Sequence, residues 1–269
     1  MFKGSMPAFY DRYLGPIQFV PWAAETAARV AKLKPARLLE TACGTGIVTY
    51  AMADASPQTE IVATDFSQAM LDFAAAKRPA AKIEWKVADA QALPFVDASF
   101  DMLVCQFGVM FFPDKAKAYS EARRVLKPGG QFLFTVWDTL EHNELPRTSS
   151  AAIGDLFPND RPTFMARGPY GYNDIPAIER ALSAAGFARV EAETLTRRLR
   201  ATARDHATGT CQGGPLRNEI EARDPNGLER ATEAVTRALE AKFGKGEFEA
   251  RSRAIFVSAF CRAPASDKK

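Results

Sequence analysis

Three acidic residues, Glu40, Asp65 and Asp89, each stand at the end of a run that reads as a β-strand. The stretch Cys43-Gly44-Thr45-Gly46 follows the first of them. Gly44 and Gly46 lack a Cβ, so the backbone can turn sharply there and a ligand can approach closely. The first N–H groups of the helix beginning near Ile47 face the same space. Asp65 lies 19 residues beyond Gly46, the spacing at which an acidic residue meets a ribose in nucleoside-binding sheets. A carboxylate accepts from both ribose hydroxyls. Asp89 is followed by Ala90 and Gln91; its carboxylate suits an exocyclic adenine amine, with the Ala90 N–H reaching a ring nitrogen. The local alternatives are that Asp65 caps the next helix with Ser67 and that Asp89 is a turn residue. Ligands of open α/β sheets bind beyond the carboxyl ends of the strands, where all three acids fall.

The loop discriminates between ligands. A dinucleotide fingerprint needs a third small residue three positions after the second glycine, and Thr49 stands there. Glu40 beside the loop repels a pyrophosphate and attracts a ligand carrying an ammonium and a sulfonium. S-adenosylmethionine (SAM) is such a ligand. A nicotinamide-dependent reductase and a non-catalytic nucleoside-binding or scaffold protein are the alternatives.

These residues need a sheet to hold them. Strands are expected over residues 37–41, 60–65, 82–88, 100–106 and 131–136. Helices over 47–53, 67–77 and 114–126 separate them, capped by Ser67 and Asp114 and stopped at Pro79. Strands alternating with helices build βαβ units and a parallel sheet. Lys127-Pro128-Gly129-Gly130 turns the chain into the fifth strand. Residues 7–33 read as an interrupted helix punctuated by Pro16 and Pro21, crowded by Tyr10, Tyr13 and Phe19. Residues 138–172 read as a long connection with short helical pieces. A helix capped by Asn173 and ending at Gly186 precedes a sixth strand over 187–199. A further helix, capped by Asp224 before Pro225, carries Leu228, Ala231, Val235 and Leu239 at helical spacing and stops at Gly244. The last strand covers 254–260, and residues 263–269 read as a frayed tail.

Composition narrows the classes. The 269 residues suffice for one α/β domain, and a net charge of +3 implies no nucleic-acid partner. No apolar run reaches about 18 residues, and the N-terminus lacks the apolar core of a secretion signal. Four scattered cysteines without a Cys-x-x-Cys pair suggest reduced thiols in a cytoplasmic protein and no structural zinc. His142 and His206 read as surface residues, and Arg197-Arg198-Leu199-Arg200 as a solvated strand end.

Read in order, the motifs resemble those of class I SAM-dependent methyltransferases. They are Glu40-Thr41-Ala42-Cys43-Gly44-Thr45-Gly46, Asp65-Phe66-Ser67 with Met70, Ala88-Asp89-Ala90, Leu93-Pro94-Phe95 through Phe100-Asp101, and Leu126-Lys127-Pro128-Gly129-Gly130. The branch most similar is that of ubiquinone and menaquinone biosynthesis methyltransferases. The resemblance is strong over residues 36–138 and weaker over 1–35 and 173–263. It implies an α/β Rossmann-like three-layer sandwich with a seven-stranded, mostly parallel sheet, an antiparallel last strand and a helical insertion. It implies one domain: an N-terminal helical cap (1–35), a sheet core (36–200 and 252–263), and an insertion over the substrate site (201–251). It implies SAM as cofactor and S-adenosylhomocysteine as product. Glu40 would lie near the methionine amine, with Ala42, Gly44, Thr45 and Gly46 in the loop and Asp65 at the ribose. Phe66 and Met70 would lie against the adenine, with Asp89, Ala90 and Gln91 at its edge. Gln106 and Phe107 would lie near the methyl, and Tyr13 would close over the cofactor. No metal site and no catalytic residue is assigned.

The sequence favours a small-molecule acceptor, with no nucleic acid, no membrane insertion and a homodimer left open. The strand-four continuation Phe107-Gly108-Val109-Met110-Phe111-Phe112 differs from the Asn/Asp-Pro-Pro-aromatic motif of base-flipping amino methylases. Residues 201–251 interrupt what could be a short turn, and insertions of that length are commonly functional. An apolar acceptor pocket is expected between this segment and Tyr10, Tyr13 and Phe19, with the stripe of the 228–239 helix covering the sheet end above Gln106 and Phe107.

Overall fold

The strands are β1 (Arg37–Glu40), β2 (Glu60–Asp65), β3 (Ile83–Val87), β4 (Phe100–Gln106), β5 (Leu126–Trp137), β6 (Arg189–Thr202) and β7 (Glu247–Phe260). The computed structural model describes residues 6–263, so the reading of residues 1–5 and of the 264–269 tail falls outside it. One seven-stranded sheet has the order β3-β2-β1-β4-β5-β7-β6. All pairs from β3 to β5 are parallel, and β7 is antiparallel to both β5 and β6. Consecutive residues Leu38 and Leu39 of β1 are both fully buried, which requires cover on both sheet faces. Strand order reverses between β1 and β4, so a crevice opens beyond their carboxyl ends.

The N-terminal helix is continuous where the sequence suggested interruptions. Met6–Phe9 and Val20–Leu33 are α-helical, and Tyr10–Phe19 between them is a π-helix containing Pro16. Proline removes a donor and clashes with the preceding turn of an α-helix; wider π turns accommodate it.

Two helix starts shift. Asp174, not Asn173, caps Ile175–Ala184 by accepting from the Ala177 N–H at 3.1 Å. The helix Leu228–Phe243 starts after Gly227, while the Asp224 carboxylate closes a local turn onto the Asn226 N–H. A helix over Glu144–Leu156 occupies much of the expected irregular connection. Its proline, Pro146, sits in the first turn, where no hydrogen bond is lost.

β6 and β7 run longer than expected. β5 pairs with β7 only through Ala254–Phe260; the rest of β7 pairs with β6 alone as a two-stranded extension. That extension carries the helices Ala203–Gln212, Leu216–Arg223 and Leu228–Phe243. Ala231, Val235 and Leu239 are fully buried in a second apolar cluster with Ala207, Cys211, Leu145 and Ile153. Each Val or Leu buried there contributes about 1.5–3 kcal/mol. The amphipathic stripe therefore covers neighbouring helices rather than the sheet end above Gln106 and Phe107.

Candidate cofactor and acceptor site

The turn after β1 is built from alternating left-handed residues: Ala42 (φ 54°), Gly44 (φ 56°) and Gly46 (φ 76°). The Cys43 N–H donates to the Thr64 carbonyl and the Gly46 N–H to the Cys43 carbonyl, both at 3.0 Å. The two glycines do different work. A Cβ on Gly44 would enter open space, so the backbone there is bare to the crevice. A Cβ on Gly46 would meet Trp85, Ala74 and Tyr50 within 3.2 Å, so that glycine lets the turn pack against its neighbours.

A cavity of about 620 Å³ lies beyond the strand ends. Ala42, Gly44, Asp65, Phe66 and Met70 line it, as do Asp89, Ala90, Gln91, Gln106 and Phe107. The sequence expectation thus converges on one space. Tyr13, Glu40, Thr45 and Gly46 do not line it. Tyr13 packs on Phe9 instead, and Tyr10, Leu14 and Gln18, four residues apart on the π-helix, face the cavity. The Thr45 hydroxyl is buried without a hydrogen-bond partner among the described residues.

Glu40 lies behind the turn, 1% exposed, and accepts from the Thr49 hydroxyl at 2.6 Å. Burial pushes its pKa up to about 8, the Thr49 hydrogen bond opposes that, and the Asp65 charge adds to it. The charge argument for the ligand therefore moves to Asp65 and Asp89, the only Asp, Glu, Lys, Arg or His side chains on the cavity wall among the described residues. Thr49, read in the sequence only as a missing small residue, is the partner of this buried carboxyl. A folded pKa raised above its unfolded value stabilises below the unfolded value and loses that stability as pH rises through the folded one. The contribution of Glu40 to apo-protein stability should fall between about pH 4.5 and 8 by up to about 1.4 kcal/mol per pH unit, against the opposite slope of buried His206 below about pH 6.5. Glu40→Gln should remove that slope in urea titrations at stepped pH. An unchanged slope in the variant would refute the assignment.

Asp65 braces the turn and the start of the next helix, and it lines the cavity. Its Oδ2 accepts from the Gly44 N–H at 2.9 Å and its Oδ1 from the Ser67 N–H at 2.8 Å. Each oxygen keeps a lone pair for a further donor. Burial raises its pKa, and the backbone donors of Ser67, Gly44 and Phe66 oppose this. Asp89 Oδ1 accepts from the Gln91 N–H at 2.8 Å, and Gln91 in turn accepts from the Asp114 N–H at 2.9 Å. Phe66 is 59% exposed at the cavity, an aromatic face open to a planar ligand.

At the end of β4, Phe107 is left-handed (φ 55°), a costly conformation for a bulky residue. Its N–H donates to the Thr135 carbonyl at 3.0 Å, and its ring stacks on Trp137 at 3.6 Å between centroids. Gln106 accepts from the Thr26 hydroxyl at 2.7 Å, which ties the N-terminal helix to the strand end. Gly108 is tighter still. A Cβ there would meet the Ala42 Cβ at 2.5 Å and the Cys105 Sγ at 2.7 Å. Phe107 is expected at the site, but neither Gly108 nor Trp137 beneath it is marked by a local sequence signal.

The other wall is apolar, with Phe19, Phe111, Phe164, Met165 and Pro169. The insertion reaches it through Thr210, Gly214, Pro215 and Leu216. His206 is fully buried, not a surface residue, and burial lowers its pKa to about 3.

The doubly wound sheet, the bare turn and two strand-end carboxylates define a nucleoside-binding α/β domain, with no cationic side chain on the cavity wall among the described residues to meet a pyrophosphate. Residues 39–134 match the model of a methyltransferase domain family. A demethylmenaquinone methyltransferase of Deinococcus radiodurans is 36% identical over 138 residues, 51% of this chain and 54% of that protein. The chain thus spans about half the length of that relative. A ubiquinone/menaquinone biosynthesis C-methyltransferase of Dinoroseobacter shibae is 31% identical over 193 residues, 65% of this chain and 72% of that one. The crystal structure of the [4+2]-cyclase SpnF has a TM-score of 0.56 at 21% identity, covering 90% of this chain and 81% of that one. That likeness concerns the fold alone, since that protein is named for a cyclisation. The chain belongs to the SAM-dependent methyltransferase family, on the branch of the quinone-biosynthesis enzymes. Among the described residues, no helix is long and apolar enough to cross a membrane.

Proposed function

We propose that the chain transfers a methyl group from SAM to a neutral, ring-bearing, lipid-like small molecule of the quinone class. The observation that carries this is the two-sided cavity: carboxylates and a bare glycine turn on one side, an aromatic and aliphatic wall on the other. The names of the relatives from Deinococcus radiodurans and Dinoroseobacter shibae support a quinone-type acceptor.

The residues present fit SAM. Asp65 would hold the ribose hydroxyls and Asp89 the adenine amine, with Phe66 and Met70 on the base. Gly44 leaves room for close approach, and Gln106 and Phe107 border the reacting end. Glu40 acts through the turn it buttresses and not as a direct partner. When bound, SAM supplies an electrophilic methyl and a neutral thioether leaving group. The chain's part is to position the acceptor and exclude water, which the Phe107–Trp137 floor and the Phe111–Phe164 rim are shaped to do. Among the described residues, the acceptor side presents no histidine, lysine or glutamate as a general base. An electron-rich ring carbon beside a hydroxyl, as in a reduced quinone, needs little help from a base and suits that wall.

The test is incubation with trideuteromethyl-SAM and reduced demethylmenaquinone, read by mass spectrometry. The expected product carries one trideuteromethyl group on a ring carbon. No labelled product from reduced quinone rings, with label found instead in an anionic or amine acceptor, would overturn the reading.

A further inference from the structure

The polar groups on the cofactor side are engaged with one another, but three on the acceptor side are not accounted for. Gln18 is 7% exposed, and its amide has no partner among the described residues. Tyr170 is 6% exposed, its ring 6.0 Å from that of Trp137, and its hydroxyl likewise has no partner among those residues. Burial raises the Tyr170 pKa, so the phenol is a neutral donor. Thr210 is the third, 5% exposed at the cavity.

Thr210 is held in a particular way. His206 Nε2 lies 3.2 Å from both the Thr210 and the Ser149 hydroxyl oxygens. The Ser149 hydroxyl donates its one proton to the Leu145 carbonyl at 2.9 Å, so it can only accept from the imidazole. An Nε2–H tautomer satisfies this geometry, with Ser149 and Thr210 both accepting from it and the Thr210 O–H facing the cavity as a donor. His206 is neutral, with Nδ1 buried and unpartnered. The Thr210 helix packs directly on the π-helix, since a Cβ on Gly209 would strike Leu14 at 2.9 Å. Thr210 and Gln18 thus stand on adjoining walls.

We propose that Gln18, Tyr170 and Thr210 are the specificity-determining residues for the acceptor. They select a neutral ring bearing hydroxyl or carbonyl oxygens over a bare hydrocarbon and over an anion. This rests on the ring-acceptor reading above. These heads line the open cavity, and a hydrocarbon would seal them from water without a new partner, a free-energy cost that a complementary ligand avoids. An anion gains nothing, because among the described residues no cationic side chain lines the cavity and two carboxylates do.

The test uses protein saturated with S-adenosylhomocysteine and three probes: naphthalene, 1-naphthol and 1-naphthoate, titrated by tryptophan fluorescence. The wild type should bind 1-naphthol about tenfold more tightly than naphthalene, with 1-naphthoate weakest. The triple variant Gln18→Leu, Tyr170→Phe, Thr210→Val should bind naphthalene as the wild type does and lose the 1-naphthol advantage. If circular dichroism shows that variant unfolded, Tyr170→Phe and Thr210→Val singly carry the test, and at least one must lose several-fold of the advantage. An advantage retained in the variants, or 1-naphthoate binding most tightly, overturns the proposal. Wild type that binds naphthalene and 1-naphthol alike loses these three residues but keeps the ring-acceptor reading. Wild type that binds S-adenosylhomocysteine and none of the probes loses both.

Discussion

Asp65→Ala is expected to weaken S-adenosylhomocysteine binding by about 1.5–3 kcal/mol, or about 10- to 150-fold, as calorimetry would read it. The scale is that of a hydrogen bond to a charged group. Two effects act together. The ribose hydroxyls lose their acceptor, and the Gly44 and Ser67 N–H groups lose theirs, which loosens the turn they define. Asp65→Asn keeps one acceptor oxygen and should fall between the wild type and the alanine variant. The fold should survive, because Asp65 ends β2 at the crevice and not in the apolar core. Unchanged affinity with a collapsed melting temperature would mean that Asp65 is a turn residue only.

Gly108→Ala is expected to cost about 1–3 kcal/mol of stability in urea titration, the scale of overpacking, and to weaken cofactor binding as well. The added Cβ has no room against Ala42 and Cys105. Ala42 cannot retreat without moving the cofactor turn, whose left-handed backbone it shares. The double variant Ala42→Gly, Gly108→Ala should recover part of both losses, giving a clear interaction term in the cycle. Gly108→Ala with wild-type stability and affinity would contradict the contact.

The sheet and the cofactor side of the site were legible because their signals are local. Apolar runs ending in Glu40, Asp65 and Asp89 state both a strand and its carboxyl end. What stayed hidden depends on residues distant in sequence. Gly108 looks ordinary until the fold sets it against Ala42. The burial of Glu40 follows from the layers around it. The π-helix is invisible to a 3.6-residue period, so the sequence marks Tyr10 and Phe19, which line the cavity, but also Tyr13, which does not, and it passes over Gln18. The stripe of Leu228–Phe243 announced a buried face but not which surface it covers; that surface is helical, formed by Ala203–Gln212 and Glu144–Leu156. His206 looked like any polar residue in a polar stretch, yet it is fully buried, with Ser149 of the Glu144–Leu156 helix against its ring.

The most direct measurement is calorimetric titration of the apo protein with S-adenosylhomocysteine and, separately, with NAD. The account expects one S-adenosylhomocysteine per chain, binding abolished or strongly weakened by Asp65→Ala, and no heat of binding from NAD. Binding of NAD without S-adenosylhomocysteine would contradict it.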